Sequence, residues 1–212
     1  AYRVDVRLRP DGTKGPLVST TEALTNYYSR AAHFWEFQAL LKARPIAGDK
    51  ATCCRFLEMR KDILGKRGPE VAAADIRAMR ERIHRELARE KEGYDIKLGR
   101  GGIEELEFTV QYLQLVNGDK YPMLFVQGTL EAIKRLTSAQ IVGRREGEFM
   151  KDTYLFYRTL ESFMRLRGEP VLRQPAVADA SEFMGFVRSE DFIEYLTEKR
   201  THVRELFEKL LS

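Results

Sequence analysis

Cysteine is nearly missing from this sequence: of 212 residues only Cys53 and Cys54 carry thiols, and they are adjacent. Neighbouring cysteines rarely reach the geometry of a mutual disulfide, and no Cys-x-x-Cys or Cys/His spacing is present to hold zinc. Both are expected as buried free thiols. Histidine is also scarce. His33, His84 and His202 stand far apart with no ligand spacing, so all three read as structural or surface residues. No apolar run approaches the length of a membrane span, and the opening residues carry no signal-peptide pattern, which points to a cytoplasmic chain without membrane contact. The positive excess is only +4 and is spread along the chain, too weak a bias for nucleic-acid binding. No internal repeat or low-complexity linker interrupts the sequence.

What is present is enough apolar residue to bury a core (43%) among abundant charge (32%), as in a globular protein of one or two domains. Most of the chain after residue 49 reads as helix. Ser19 and Glu22 have capping-box spacing for a helix through about Ala32, and Phe34 to Arg44 reads as a second helix or a short strand, with helix preferred. Asp49 is placed to cap a helix to about Leu64. A long helix is expected from about Pro69 to Glu90, with Val71, Ile76, Met79, Ile83 and Leu87 on its buried stripe. Further helices are expected at about 103–116, 129–136, 145–167 and 190–211. Short connections between them favour an antiparallel bundle.

Three places carry charge or polarity in patterns that bear on chemistry. From Arg3 to Arg9 strict alternation places Arg3, Asp5, Arg7 and Arg9 on one strand face, opposite Val4, Val6 and Leu8, and Pro10-Asp11-Gly12 ends the strand in a turn. A carboxylate among guanidiniums suits metal-dependent phosphoryl or nucleotidyl transfer, but spacing alone favours a surface salt-bridge ladder, since charged alternation is common on half-buried strands. Gly99-Arg100-Gly101-Gly102 precedes a helix start, beside Lys97, as a phosphate-binding turn would. Against that, Glu104, Glu105 and Glu107 crowd the first turns, where carboxylates suit the helix dipole and repel phosphate. Helical spacing puts Glu104, Glu107 and Gln111 on one face next to the apolar stripe, so Lys97, Gly101, Gly102, Glu104, Glu107 and Gln111 are assigned a structural or interdomain role. The aromatic group Tyr27, Tyr28, Phe34, Trp35 and Phe37 is expected to pack a core.

Three ordered blocks also carry a resemblance. Residues 2–12 with Gly15-Pro16-Leu17-Val18-Ser19, residues 35–49 from Trp35 to Asp49, and residues 95–108 from Asp95 to Phe108 are similar in order and spacing to the glutamine synthetase adenylyltransferase family. That family is also called glutamate-ammonia ligase adenylyltransferase. The resemblance covers residues 1 to about 165, and Glu105 stands where the family usually has Asp. It implies a mainly α fold: residues 1–48 as the C-terminal part of an α/β polymerase-β-like nucleotidyltransferase domain, and residues 49–212 as a helical bundle.

The resemblance further implies that Asp5 is the third catalytic aspartate and a metal ligand. The Gly-Ser loop and Asp-x-Asp pair of such domains find no counterpart in these residues, so this stretch by itself is expected to be inactive. The intact enzyme would use Mg²⁺ to move AMP from ATP to a tyrosine of glutamine synthetase, or remove it by phosphorolysis, in the control of nitrogen assimilation. Arg7, Arg9, Lys42 and Arg44 are the candidate nucleotide contacts, and the implied partners are ATP, glutamine synthetase and the PII signalling protein. Two other readings stay open: a uridylyltransferase acting on PII, and a non-catalytic helical module docking PII or glutamine synthetase.

Overall fold

Apolar residues recurring at helical spacing, with polar caps at the breaks, give nine α-helices and no strand among the described residues of a computed structural model that describes residues 6 and 8–211. They are α1 (Thr21–Arg30), α2 (Phe34–Lys42), α3 (Lys50–Arg67), α4 (Ala73–Leu87), α5 (Ile103–Asn117), α6 (Thr129–Ser138), α7 (Arg144–Leu166), α8 (Val177–Phe183) and α9 (Ser189–Leu210). The chain is mainly α. Most of the expected N-terminal strand lies outside the described residues. Val6 and Leu8, which are described, are not in a strand and are exposed, and Arg9 to Gly12 form the expected turn.

The caps explain several boundaries. Asp49 Oδ1 accepts the Thr52 N–H at 3.0 Å and opens α3 as its sequence predicts. At α1 the cap is Thr20 rather than Ser19. The extended backbone of Thr20 aims its hydroxyl at the first turn, where it accepts the Ala23 N–H at 3.1 Å. The helix expected from Pro69 begins later, at Ala73. Gly68–Glu70 form a 3₁₀ turn, and Val71 then turns extended (φ −70°, ψ 112°) to bury its side chain, which breaks the helical run. The short α8 was not anticipated.

Two apolar cores share α5. Leu106, Val110 and Leu113 of α5 join Ile133 and Leu136 of α6, Tyr157 and Leu160 of α7, and Phe192 and Leu196 of α9. On the other side Leu115 joins Phe37, Leu40 and Leu41 of α2, Ile63 and Leu64 of α3, Ile76 of α4 and Phe207 of α9. Residue 48 lies in the loop between α2 and α3, and both of those helices pack into this second core. Of the aromatic group, Phe37 is buried, Tyr27, Tyr28 and Phe34 are half-buried, and Trp35 reaches the surface. The thiols are free, but Cys53 is half-buried and Cys54 exposed, which corrects the expectation that both are buried. They sit on the first turns of α3, ahead of its buried Met59, Ile63 and Leu64.

Candidate functional site

The glycine-rich turn before α5 is held by a buried polar junction drawn from α4, α5, α7 and α9 and the loop between α4 and α5. Asp95, 3% exposed, starts it. Its carboxylate accepts the backbone N–H of Lys97 (3.1 Å), Leu98 (2.8 Å) and Arg89 (3.0 Å), folding the chain back on itself ahead of Gly99. Every backbone N–H from Gly99 to Glu104 already has an acceptor within the fold. Gly99 donates to Asp95 O, Arg100 to Glu90, Gly101 to Glu105, Gly102 to Gly99 O, Ile103 to Ile96 O and Glu104 to Lys97 O. A phosphate cradle needs those groups free, so this turn is not one.

Gly101 shows why glycine is required. Its φ is +67°, and a Cβ there would lie 1.9 Å from the Arg200 carbonyl oxygen of α9. The Gly101 carbonyl accepts the Tyr157 hydroxyl of α7 at 2.7 Å, with the tyrosine fully buried. That burial raises the Tyr157 pKa far above the ordinary phenol value. Gly102 closes the turn on α5.

Charge at the junction centres on Arg80 of α4, 1% exposed. Its Nη2 donates to the carbonyls of Leu98 (2.9 Å) and Gly99 (2.8 Å) and lies 3.3 Å from Glu105 Oε1. Its Nε stands 3.9 Å from Glu104 Oε2. Glu105, also 1% exposed, receives Arg204 Nη1 at 2.9 Å on the same oxygen and the Gly101 N–H at 2.8 Å on the other. Burial lowers the Arg80 pKa against the pull of Glu105 and Glu104, and burial raises that of Glu104 against the pull of Arg80 and Lys97. At the outer edge Glu90 accepts from His84 (2.7 Å) and pairs with Arg200, whose Nε donates to Arg100 O at 2.9 Å.

A second polar group lies along α5. Glu107 accepts the Tyr154 hydroxyl of α7 at 2.8 Å and that of Thr129 at 3.5 Å. Lys42 Nζ donates to Gln127 O (3.0 Å) and Thr129 Oγ1 (3.1 Å). Burial lowers its pKa, opposed by the charge of Glu107. Gln111 accepts from Gln38 of α2 at 2.9 Å. Glu107 and Gln111 therefore tie α5 to α2, α6 and α7, whereas Glu104 belongs to the Arg80 junction.

The remaining predicted residues separate from these groups. Asp5 and Arg7 lie outside the described residues. Arg9 donates to the carbonyls of Val6 (2.7 Å) and Gly15 (3.2 Å) in its own loop. Arg44 and Lys97 are exposed. Among the described residues no group of three or more His, Cys, Asp or Glu side chains could hold a metal ion. Glu104, Glu105 and Glu107 are already turned toward arginines or a tyrosine, so these three do not make a Mg²⁺ site together. Arg80, Arg204, Arg200, Glu90 and Tyr157 escaped sequence reasoning. Arg80 left one signal, a charged residue four positions after Ile76 and so within the apolar stripe of α4.

Two nucleotidyltransferase family models match the chain. One, described as Glutamate-ammonia ligase adenylyltransferase, matches residues 1–59, and the other, described as GlnD PII-uridylyltransferase, matches residues 77–211. Three curated relatives each carry the name bifunctional glutamine synthetase adenylyltransferase/adenylyl-removing enzyme. That of Corynebacterium efficiens is 39% identical over 202 residues, 90% of this chain and 18% of the relative. That of Cutibacterium acnes is 42% identical over 161 residues (76% and 16%), and that of Xanthobacter autotrophicus 35% over 219 (97% and 22%). The chain belongs to the glutamine synthetase adenylyltransferase family, and it spans about a fifth of the length of these relatives.

Proposed function

We propose that this chain is part of a cytoplasmic enzyme that transfers AMP from ATP to a tyrosine hydroxyl of glutamine synthetase, or removes it by phosphorolysis. The observation that carries the reading is the 39% identity across 90% of the chain to a relative named for both activities. Asp5 binds a catalytic Mg²⁺, which when bound stabilises charge on the reacting phosphate. Arg7 and the exposed Arg44 meet phosphate oxygens. Arg9 and Lys42, occupied by backbone carbonyls and a hydroxyl, hold the local structure instead. The helices have a mechanical part: the junction at Arg80 and Glu105 fixes the turn before α5 rigidly against α4, α7 and α9. PII and glutamine synthetase are the protein partners.

The match of residues 77–211 to the uridylyltransferase model favours a second reading, transfer of UMP to PII. One experiment separates the two. The intact protein is incubated with glutamine synthetase and PII, with either ATP or UTP labelled in the α-phosphate. Label from ATP on glutamine synthetase is the expected result. Label from UTP on PII, with none from ATP, would replace the first reading with the second.

A further inference from the structure

The cleft between the C-terminal half of α7 and the segment from Leu87 to Leu98 has a volume of about 480 Å³, within the range of small-molecule sites. Its accessible apolar lining comes from Leu87, Leu98 and Pro170, with the buried Ile96 and Met164 behind them. Its charged lining is unbalanced once the existing pairs are removed. Asp95 keeps its negative charge with its oxygens taken by three backbone N–H groups, while Glu161 pairs with Arg158 at 2.9 Å and Glu169 with Arg167 at 3.3 Å. That leaves Arg89, Lys97 and Arg165, whose side chains make no hydrogen bond or salt bridge with a described group. Lys97 also acts through space on Glu104, which is turned toward Arg80.

We propose that this cleft binds an organic anion: a small molecule whose apolar body lies on Leu87, Leu98 and Pro170 and whose phosphate or carboxylate group meets Arg89, Lys97 and Arg165. Cations lining one recess raise the local potential for an anion, and an apolar floor adds a term that inorganic ions cannot use. Neither the resemblance nor the proposed transfer reaction requires this site. Its wall is the Ile96–Leu98 stretch whose carbonyl at Leu98 is held from behind by Arg80.

The test uses the full-length protein and a local readout, phenylglyoxal modification of individual arginines followed by peptide mass mapping. Phenyl phosphate and benzoate are the two anionic probes, with inorganic phosphate and benzyl alcohol supplying the anion and the ring separately. Phenyl phosphate or benzoate should protect Arg89 and Arg165 while leaving the exposed Arg145 of α7 reactive, and the better protector identifies the anion. Lys97→Gln, a change at an exposed position, should raise the half-protecting concentration about tenfold, the loss of one charge-assisted contact. The proposal is overturned if neither probe protects, if Arg145 is protected equally, or if Lys97→Gln changes nothing. Protection by benzyl alcohol alone would remove the anion, and equal protection by inorganic phosphate would remove the apolar body; either result overturns it.

Discussion

Arg80 carries its charge inside the apolar stripe of α4, where its Nη2 is held by two carbonyls and Glu105 while its buried Nε and Nη1 make no hydrogen bond to a described group. Glu105 is the carboxylate it shares with Arg204, and both Arg80 and Glu105 are 1% exposed. Removing the Glu105 charge leaves Arg80 charged and buried, which is far more damaging than the net worth of the pair. Glu105→Gln should therefore destabilise by about 3–5 kcal/mol, read as a lower urea midpoint. A change within a few tenths of a kcal/mol would mean that solvent already screens the junction. Glu107 differs, because its tyrosine and threonine partners are neutral donors. Glu107→Gln keeps those acceptors and loses only the charge beside Lys42, so about 1 kcal/mol is expected. The Mg²⁺ concentration for half-maximal rate in the intact enzyme should not move. A large rise in that concentration with an unchanged melting temperature would place Glu107 at the metal.

At the level of elements, the turn between Asp95 and α5 is the most constrained. Gly101→Ala forces a Cβ against the Arg200 carbonyl at a positive φ, so a loss of at least about 2 kcal/mol is expected. Amide exchange should quicken at the start of α5 and around Arg200 of α9. Exchange unchanged at both places would mean that the turn is not clamped by α9. The helices themselves were largely legible: α2, α5, α6, α7 and α9 lie within a few residues of their sequence bounds because each repeats its apolar residues at helical spacing and begins at a recognisable break. The start of α4 was not, since extension at Val71 depends on the core it enters. The seven-residue α8 is too short to show a period. The candidate site was legible only in part. Helical spacing puts Glu104 and Glu107 on a shared face, but their partners differ, and which arginine reaches which carboxylate depends on pairings such as Arg204 with Glu105, distant in sequence.

For the whole molecule, the polar junction predicts a response to acid. Burial tends to raise the Glu90 pKa, but hydrogen bonds from His84 and Arg200 outweigh it and hold the value below the ordinary 4.5. A carboxyl with a depressed folded pKa contributes stability that is present above its unfolded value and lost as pH falls through the folded one. Glu90→Gln should thus lower stability near neutral pH and flatten its dependence on pH below about 4.5. An unchanged acid profile would show that Glu90 is not held as the geometry indicates. Transfer of AMP is tested most directly by Asp5→Asn in the intact protein, with α-labelled ATP and glutamine synthetase as substrates. The substitution keeps size and hydrogen bonding while removing the charge that a metal requires. Labelling of glutamine synthetase should nearly vanish while the melting temperature stays unchanged; labelling within a few-fold of the wild-type rate would contradict the catalytic assignment and leave Asp5 in a surface salt-bridge ladder.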